Sequence, residues 1–454
     1  MHPAIVRIRE AILGTPFEGD VFLVGGGVRD ELLGISHSND FDLVTRGDAP
    51  ALAELLYQTG VSELPPVTYP RFGTAMLRVE NCTIELVTAR RESYGEESRK
   101  PTVEPASYLE DAQRRDFTVN SLLKDIATGE ILDPLRIGRS DLKSKILRTP
   151  LDAVETFHDD PLRMLRAVRF RWQLGFEPAP GLYEAITQSK QRLTIVSFER
   201  IRDELFKILA RRTASRGLDD LMSTGLMEII APEFQEMVGV EQGNFHHLDV
   251  WDHTRLVIDN LWEVSQEAPP LTLVLGALFH DVGKPPTRTV DAEGRTRFFG
   301  HEEVGAEMTR RILGRWKLSE KEITGVVKLV RNHMRLGSSP TFSKSAARRV
   351  LRDLGDQSDA LLTLVEADVA SLKPGVRLMD LGPIREQLAA VEQETPREVL
   401  NSPLDGAEIM DLLGLEAGPE VGRLKSLLTE KVIEGELAPG DKAAAAEILR
   451  QNVN

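Results

Sequence analysis

The stretch Val21 to Val44, VFLVGGGVRDELLGISHSNDFDLV, constrains the fold of this chain more than any other. Val21-Phe22-Leu23-Val24 is a short apolar run ended by turn residues, the pattern of a buried strand. It breaks into Gly25, Gly26 and Gly27, after which Val28 to Leu33 carries helical patterning. Three glycines between a strand and a helix let backbone N–H groups approach an anion that side chains would hold off. Asp40-Phe41-Asp42-Leu43-Val44 then reads as a second strand. Residues i and i+2 of a strand share a face, so Asp40 and Asp42 project side by side while Phe41 turns away. Carboxylates held that close repel each other unless a cation lies between them, and an all-oxygen site suits Mg²⁺. A phosphate cradle followed by a divalent-metal clamp is what transfer from a nucleoside triphosphate needs. A Walker P-loop is excluded, because the one Gly-Lys pair, Gly283-Lys284, is followed by Pro285.

At 454 residues the chain exceeds the ~250–300 that a single core sustains, so more than one domain is expected. No stretch approaches the ~20 apolar residues of a membrane span, and the first residues, MHPAIVRIREAILG, lack the apolar core of a signal peptide. Cys82 is the one cysteine, which excludes an intramolecular disulfide and a multi-cysteine zinc site. A cytoplasmic protein without membrane partners is expected. The net charge of −15 means that any nucleic-acid site is a local patch. Between Arg136 and Arg212, Lys and Arg outnumber Asp and Glu, with Lys143, Lys145, Arg148, Arg163, Arg166, Arg169, Arg171, Arg200, Arg202 and Lys207. That segment is either such a patch or a helical surface of mixed charge.

The first part alternates helix and strand: Ala49 to Thr59 helical, Ala75 to Val79 and Cys82 to Thr88 extended. In the last of these, Thr83 and Glu85 share a face, which makes Glu85 either a third carboxylate beside Asp40 and Asp42 or a solvent-facing strand glutamate. Arg90 to Gln113, polar and containing Pro101 and Pro105, reads as a mobile loop. Beyond Asp141 helical periodicity takes over. The expected architecture is an α/β head, a small mixed sheet with helices, followed by an all-α body.

Arg114-Arg115-Asp116 with Asn120 brings two guanidiniums, a carboxylate and an amide to the start of an expected helix. Arginine holds phosphate oxygens bidentately, and Asn binds a sugar hydroxyl. Asp159-Asp160-Pro161-Leu162-Arg163 follows, with Pro161 in the first turn of a helix and Asp160 and Arg163 on one face. A carboxylate accepts from an exocyclic amine and a guanidinium donates to a ring acceptor, so this pair either admits CTP and ATP while rejecting UTP and GTP, or is a surface ion pair.

These residues together resemble the class II tRNA nucleotidyltransferases, the CCA-adding enzymes, with bacterial poly(A) polymerases as close relatives. The resemblance runs in order through Gly25-Gly26-Gly27-Val28-Arg29-Asp30, Asp40-Phe41-Asp42, Arg114-Arg115-Asp116 with Asn120, Asp133-Pro134 with Asp141-Leu142, Asp159 to Arg163, and Glu199-Arg200-Ile201 with Glu204-Leu205. It implies that Asp40 and Asp42 hold the catalytic Mg²⁺, with Glu85 as a further candidate. Gly25, Gly26, Gly27, Arg29, Arg114, Asp116, Asn120 and Arg166 would meet the nucleotide, and Asp160 and Arg163 would template its base. The family usually has Glu where this chain has Asp159, which keeps the charge and shortens the reach. The implied reaction is attack of the tRNA 3′-hydroxyl on the α-phosphate of CTP or ATP, with release of pyrophosphate.

The remaining histidines cluster: His246, His247, His253, His280, His301 and His333. Ala277-Leu278-Phe279-His280-Asp281 resembles the metal-binding helix of the HD phosphohydrolase superfamily. That resemblance maps metal ligands onto His253, His280, Asp281 and Asp368, and a second metal or a phosphate onto His301 and His333. Imidazole with carboxylate accepts Mn²⁺, Ni²⁺, Co²⁺, Fe²⁺ or Mg²⁺, so the identity of this divalent metal stays open. The tail resembles the helical tail that family members set against the tRNA elbow. The expected domains are 1–140 for the head, 141–240 for a nucleotide-selecting helical neck, 241–373 for the HD-type domain and 374–454 for the tail.

Three readings compete. A CCA-type enzyme acting on the tRNA 3′ end with CTP and ATP fits all motifs. A poly(A) polymerase would carry basic extensions that this chain lacks, and an HD phosphohydrolase with an inert head would have no need of the complete head motifs. The segment Arg90–Gln113, close to the family's full-length form, favours an enzyme that adds A.

Overall fold

The computed structural model describes residues 2–452 apart from 36–38, 96–97, 244–245, 338–341, 376–379 and 397–398, with backbone alone for 92–95 and 98–102. The chain divides into two compact units, Met1–Ile230 and Ala231–Asn454.

The first unit is built on seven paired strands: β1 (Val21–Val24), β2 (Asp40–Thr45), β3 (Val67–Tyr69), β4 (Thr74–Val79) and β5 (Cys82–Thr88), then β8 (Leu123–Asp125) and β9 (Ile131–Leu132). Between them in the chain, β6 (Arg90–Gly95) and β7 (Ser98–Pro105) form a separate antiparallel hairpin. The sheet order is β3-β4-β5-β2-β1-β8-β9, with β2 and β5 parallel and the other pairs antiparallel. Alternation decides the two faces. Phe41, Leu43, Ala75, Leu77, Val79, Ile84 and Leu86 are buried. The helix Ala49–Gln58 packs on β4 and β5, buries Leu52, Ala53 and Leu56, and is capped by the Asp48 side chain accepting from Ala51 N. Asp40, Asp42 and Glu85 lie exposed on the opposite face.

The segment expected to be a loop, Arg90–Gln113, is instead the β6–β7 hairpin and a helix, Tyr108–Gln113. Prolines argue against interior strands, but each strand of an isolated hairpin has a free edge where a missing N–H costs nothing. Ser107 and Glu110 close the helix start as a capping box. A second difference follows. Arg114 ends this helix rather than starting another, and Thr118–Asn120 is a single 3₁₀ turn.

In the helices that complete this unit, several arginines of the basic stretch are tied to acids, while Lys143, Lys145, Arg200 and Lys207 stay exposed. Arg169 Nε lies 2.7 Å from Glu204, Lys207 Nζ donates to Glu204 at 3.0 Å, and Arg148 Nε pairs with Asp141 at 3.1 Å. Asp220 accepts from Trp172 Nε1 at 2.7 Å, Tyr183 Oη at 2.6 Å and Arg171 Nη1 at 2.9 Å. Part of the charge excess read from the sequence is therefore held in ion pairs that tie Leu162–Leu174, Phe198–Leu209 and Ala214–Ser223 together.

The second unit is helical, with one two-residue strand pair, Thr289–Val290 with Thr296–Arg297, among the described residues. Its last helices share a core of Leu424, Leu428, Val432 and Leu449. No described helix is long and apolar enough to cross a membrane.

Replacing Asp220 by Ala strands the Trp172 and Tyr183 donors in part-buried surroundings. The expected cost is about 2 kcal/mol in urea denaturation, since unsatisfied polar groups forfeit their full desolvation energy.

Candidate active site and metal centre

The parallel register of β2 and β5 sets Asp42 opposite Glu85 and Asp40 opposite Thr83. Three carboxylates thus stand together on the open face. Crowding by neighbouring atoms raises the Asp42 pKa, Arg115 pulls it down and Asp40 pushes it up. Glu85 is likewise raised by burial and by Asp42, against the pull of Arg90. Carboxyls that resist ionising beside one another form a donor set suited to a divalent cation.

The glycine turn lies against this row. Gly25 has φ 76°, and a Cβ there would sit 3.4 Å from Asp42 Oδ2 and 3.8 Å from Arg115 Nη1. A Cβ on Gly27 would meet nothing within 4 Å, so that side of the turn is open. Arg115, part of the sequence motif, was given no site role of its own there. Its guanidinium donates to Asp111 Oδ2 at 3.1 and 2.9 Å, and it is the cation acting on Asp42. Arg114 takes the other oxygen, Asp111 Oδ1, at 2.9 and 2.6 Å, and also donates to the Arg90 carbonyl at 3.1 Å. The tandem Arg114-Arg115 was the available signal; the buried Asp111 that orients both had none.

Arg29, Asn120, Asp116 and Arg166 form one buried chain. Arg29 Nη1 donates to Asn120 Oδ1 at 2.7 Å, and Asn120 Nδ2 to Asp116 Oδ1 at 3.0 Å. Arg166 Nε reaches Asp116 Oδ2 at 2.9 Å. Burial alone would raise the Asp116 pKa, but Arg166 and the Asn120 hydrogen bond hold it at about 2. Asp160 caps the end of the helix Ala153–Asp159 and Arg163 lies in the first turn of Leu162–Leu174, with Arg163 N donating to Asp160 O at 3.0 Å. Asp160 Oδ1 accepts from Leu162 N at 3.3 Å. The buried Arg163 guanidinium donates to the carbonyls of Thr156, at 3.3 Å, and of Arg114.

The second cluster lies wholly in the helical unit. His253 comes from Val250–Val264, His280 and Asp281 from the end of Leu271–Phe279, His301 from the start of its helix, His333 from the end of Glu320–Asn332, and Asp368 from Ser358–Ala370. His253 Nε2 is 2.9 Å from Asp368 Oδ1, and His280 Nε2 is 3.1 Å from Asp281 Oδ2. His301 Nε2 and His333 Nε2 lie 3.5 and 3.8 Å from Asp281 Oδ1. Nδ1 of His280, His301 and His333 contacts a backbone carbonyl, those of Ala277 (2.7 Å), Phe298 (2.8 Å) and Val330 (2.6 Å). That assigns the proton to Nδ1 and turns each Nε2 lone pair inward. His301 and His333 then oppose two lone pairs at 3.2 Å, an arrangement that a shared cation relieves. Ligand atoms of His253, His280 and Asp281, and those of Asp281, His301 and His333, fall within 4.8 Å of one another. The donor chemistry fits a metal centre.

Electrostatics agree with that fit. Burial lowers the His280 pKa, but the Asp281 carboxylate more than reverses it; His333 is driven by burial and His280 down to about 3. Lys284 and Gln242 were missed by sequence reading. Lys284 Nζ sits 2.6 Å from Asp281 Oδ2 and donates to Gln242 Oε1 at 2.6 Å. His246 meets His253 edge to face, with ring centroids 4.7 Å apart.

A mixed α/β head with paired strand aspartates, joined to helices with a His/Asp cluster, defines a nucleotidyltransferase carrying an HD domain. Residues 21–148 match the poly A polymerase head domain, 175–237 the probable RNA and SrmB-binding site of polymerase A, and 245–372 the HD domain. The chain is 34% identical over 447 residues to the A-adding tRNA nucleotidyltransferase of Deinococcus radiodurans, covering 95% of each. It is 35% identical over 439 residues to the CC-adding tRNA nucleotidyltransferase of Thermus thermophilus, covering 94% of this chain and 92% of that one. The fold is shared with the Bacillus stearothermophilus CCA-adding enzyme solved in complex with CTP, at TM-score 0.67 and 24% identity over 100% of this chain and 98% of that one. The chain belongs to the class II CCA-adding tRNA nucleotidyltransferase family and is an enzyme of that kind.

Two predictions follow from this geometry. Because the Asp116 pKa falls from 3.8 to about 2 on folding, its charge contributes stability above pH 4 that is lost as pH drops toward 2. Asp116→Asn should therefore cost about 2 kcal/mol in urea denaturation at pH 7, and the gap to wild type should close between pH 4 and pH 2. At Gly283, a Cβ would meet His301 O at 2.2 Å and Gly305 N at 2.6 Å. Gly283→Ala should push the His301 helix away and weaken divalent-metal binding about tenfold or more by isothermal titration.

Proposed function

We propose that the protein extends the 3′ end of tRNA from CTP and ATP without a nucleic-acid template and releases pyrophosphate, with A among the nucleotides it adds. The observation that carries this is the row of Asp40, Asp42 and Glu85 abutting the Gly25 turn. Asp40 and Asp42, with Glu85 beside them, would hold Mg²⁺. A divalent ion bound there supplies a lowered pKa for the attacking hydroxyl and charge neutralisation for the pyrophosphate that leaves.

The rest belongs to the chain's own residues. Gly25, Gly26 and Gly27 admit the phosphates, and Arg115, held by Asp111, adds positive charge next to Asp42. Arg114 donates toward the same Asp111 and steadies that arrangement. Arg29, Asn120, Asp116 and Arg166 form the floor under the sugar. Asp160 and Arg163 offer an acceptor and a donor to the amine-plus-acceptor edge common to cytosine and adenine. Two backbone carbonyls pre-set the Arg163 guanidinium, so the protein reads the base without help from an RNA template. Support for A addition comes from the full-length segment Arg90–Gln113 and from a relative described as A-adding.

The work divides among a head (1–140), a nucleotide-selecting neck (141–240), an HD-type domain (241–373) and a tail meeting tRNA (374–454), in the cytoplasm. His253, His280, Asp281 and Asp368, with His301 and His333, would hold one or two divalent ions for an accessory phosphohydrolase activity.

The decisive assay offers tRNAs ending at the discriminator base, at C and at CC, with CTP and ATP, and sequences the 3′ ends. Extension ending in A is expected, and Asp42→Asn should lower its rate about a thousandfold. Long tracts added to generic RNA would overturn the tRNA reading. His280→Ala should leave nucleotide addition intact while abolishing metal-dependent release of phosphate from phosphoester substrates. Phosphate release that is unchanged in this variant would overturn the accessory activity.

A further inference from the structure

The open face of the head sheet does not end at its acids. From β2 to β3 the register aligns Asp42 with Glu85, Glu85 with Met76, and Met76 with Val67. Two residues along, Val87, Thr74 and Tyr69 align in the same way. Side chains two apart on a strand share a face, so Met76, Val67 and Tyr69 look out on the side of Asp42 and Glu85. Their neighbours Ala75, Leu77 and Val79 take the buried side. Met76 is 39%, Val67 55% and Tyr69 47% exposed. With strands ~4.8 Å apart, the row ends about 14 Å from Asp42.

An apolar, aromatic wing on an edge strand is a liability unless something covers it. Positive charge borders this one. Arg90 Nη1 donates to Phe72 O at 2.7 Å and Thr74 Oγ1 at 3.3 Å, between the Glu85 row and Tyr69. Arg71 lies 5.9 Å from the Phe72 ring centroid, and Arg78 pairs with Thr83, which in turn pairs with Asp40. Flat apolar and aromatic surface edged by arginines is the chemistry that receives single-stranded nucleic acid: bases stack and phosphates are neutralised.

We propose that Met76, Val67 and Tyr69 form the track for the bases that precede the 3′ terminus of the RNA substrate, with the terminal hydroxyl at Asp40 and Asp42. This rests on the nucleotide-addition reading above. Stacking is indifferent to base identity, so the track holds the growing end without selecting the incoming nucleotide.

The test measures KM for tRNA and for the nucleotide separately, on each 3′ end that the wild type extends. Tyr69→Ala should raise KM for tRNA about five- to fiftyfold, while KM for the nucleotide and kcat at saturating tRNA stay within about twofold. Tyr69→Phe, which keeps the ring, should behave as wild type. Met76→Ser on the neighbouring strand should shift KM for tRNA in the same direction, and an unchanged urea midpoint shows that these exposed positions leave the fold intact. A KM for tRNA equal to wild type in both Tyr69→Ala and Met76→Ser overturns the track while leaving nucleotide addition standing. A wild type that extends no RNA overturns both.

Discussion

The first unit depends on one electrostatic conflict, the crowding of Asp40, Asp42 and Glu85 on adjacent strands. Parallel pairing of β2 with β5 forces Asp42 and Glu85 side by side, and a shift of one residue would turn either acid into the apolar layer beneath. That layer, with Phe41, Leu43, Ile84 and Leu86 buried, is what fixes the register. Hydrophobic burial thus drives the acids together, and their mutual repulsion is kept for use at the open face. Arg115 and Arg90 relieve part of it from the two flanks.

The same logic runs through the arginines. A chain of net charge −15 with a basic segment looks, residue by residue, as though it saves its cations for nucleic acid. In three dimensions Asp116, Asp141, Glu204 and Asp220 each collect one or more of those guanidiniums, and Asp111 collects Arg114 and Arg115 ahead of the segment. Breaking such a pair leaves a buried charge without its partner, so these arginines are committed to holding helices and orienting neighbours. Asp111 shows the consequence most directly. One carboxylate aims Arg114 and Arg115, and its Oδ1 accepts from the backbone N–H of Arg90, where the β6–β7 hairpin begins.

Legibility in the sequence followed the range of the interaction. Strands β2, β4 and β5 were readable from their local alternation and β1 from its continuous apolar run, and the glycine turn because three glycines fall between a strand and a helix. The His/Asp cluster was readable through the resemblance of its His280-Asp281 helix to the HD superfamily. The β6–β7 hairpin was not, since Pro101 and Pro105 signal a loop unless the strand's free edge is known. The chain from Arg29 through Asn120 and Asp116 to Arg166 spans well over a hundred positions and has no sequence period. Its members were named singly, but their joining was invisible. Charge counting left the basic segment open between a patch and a mixed-charge surface for the same reason, because the partner of a given arginine is set by helix packing.

The two metal-type sites differ in what they ask of the chain. At the head, oxygen donors on strands would leave most of a bound cation's coordination sphere to water and phosphate, so a simple register would suffice. At the HD cluster, imidazoles from different helices present Nε2, with a backbone carbonyl behind Nδ1 of His280, His301 and His333 and close helix approach. Gly283 against His301 O and Gly305 N is that approach in atomic terms. A site this dependent on packing is built from the core outward: Phe279, beside His280, stacks on Phe234 and Trp316 with centroids 5.0 and 5.7 Å apart. The carboxylate row can therefore exchange its ligands without disturbing the sheet, whereas loss of a metal at the histidine cluster would be felt by every helix that supplies a ligand.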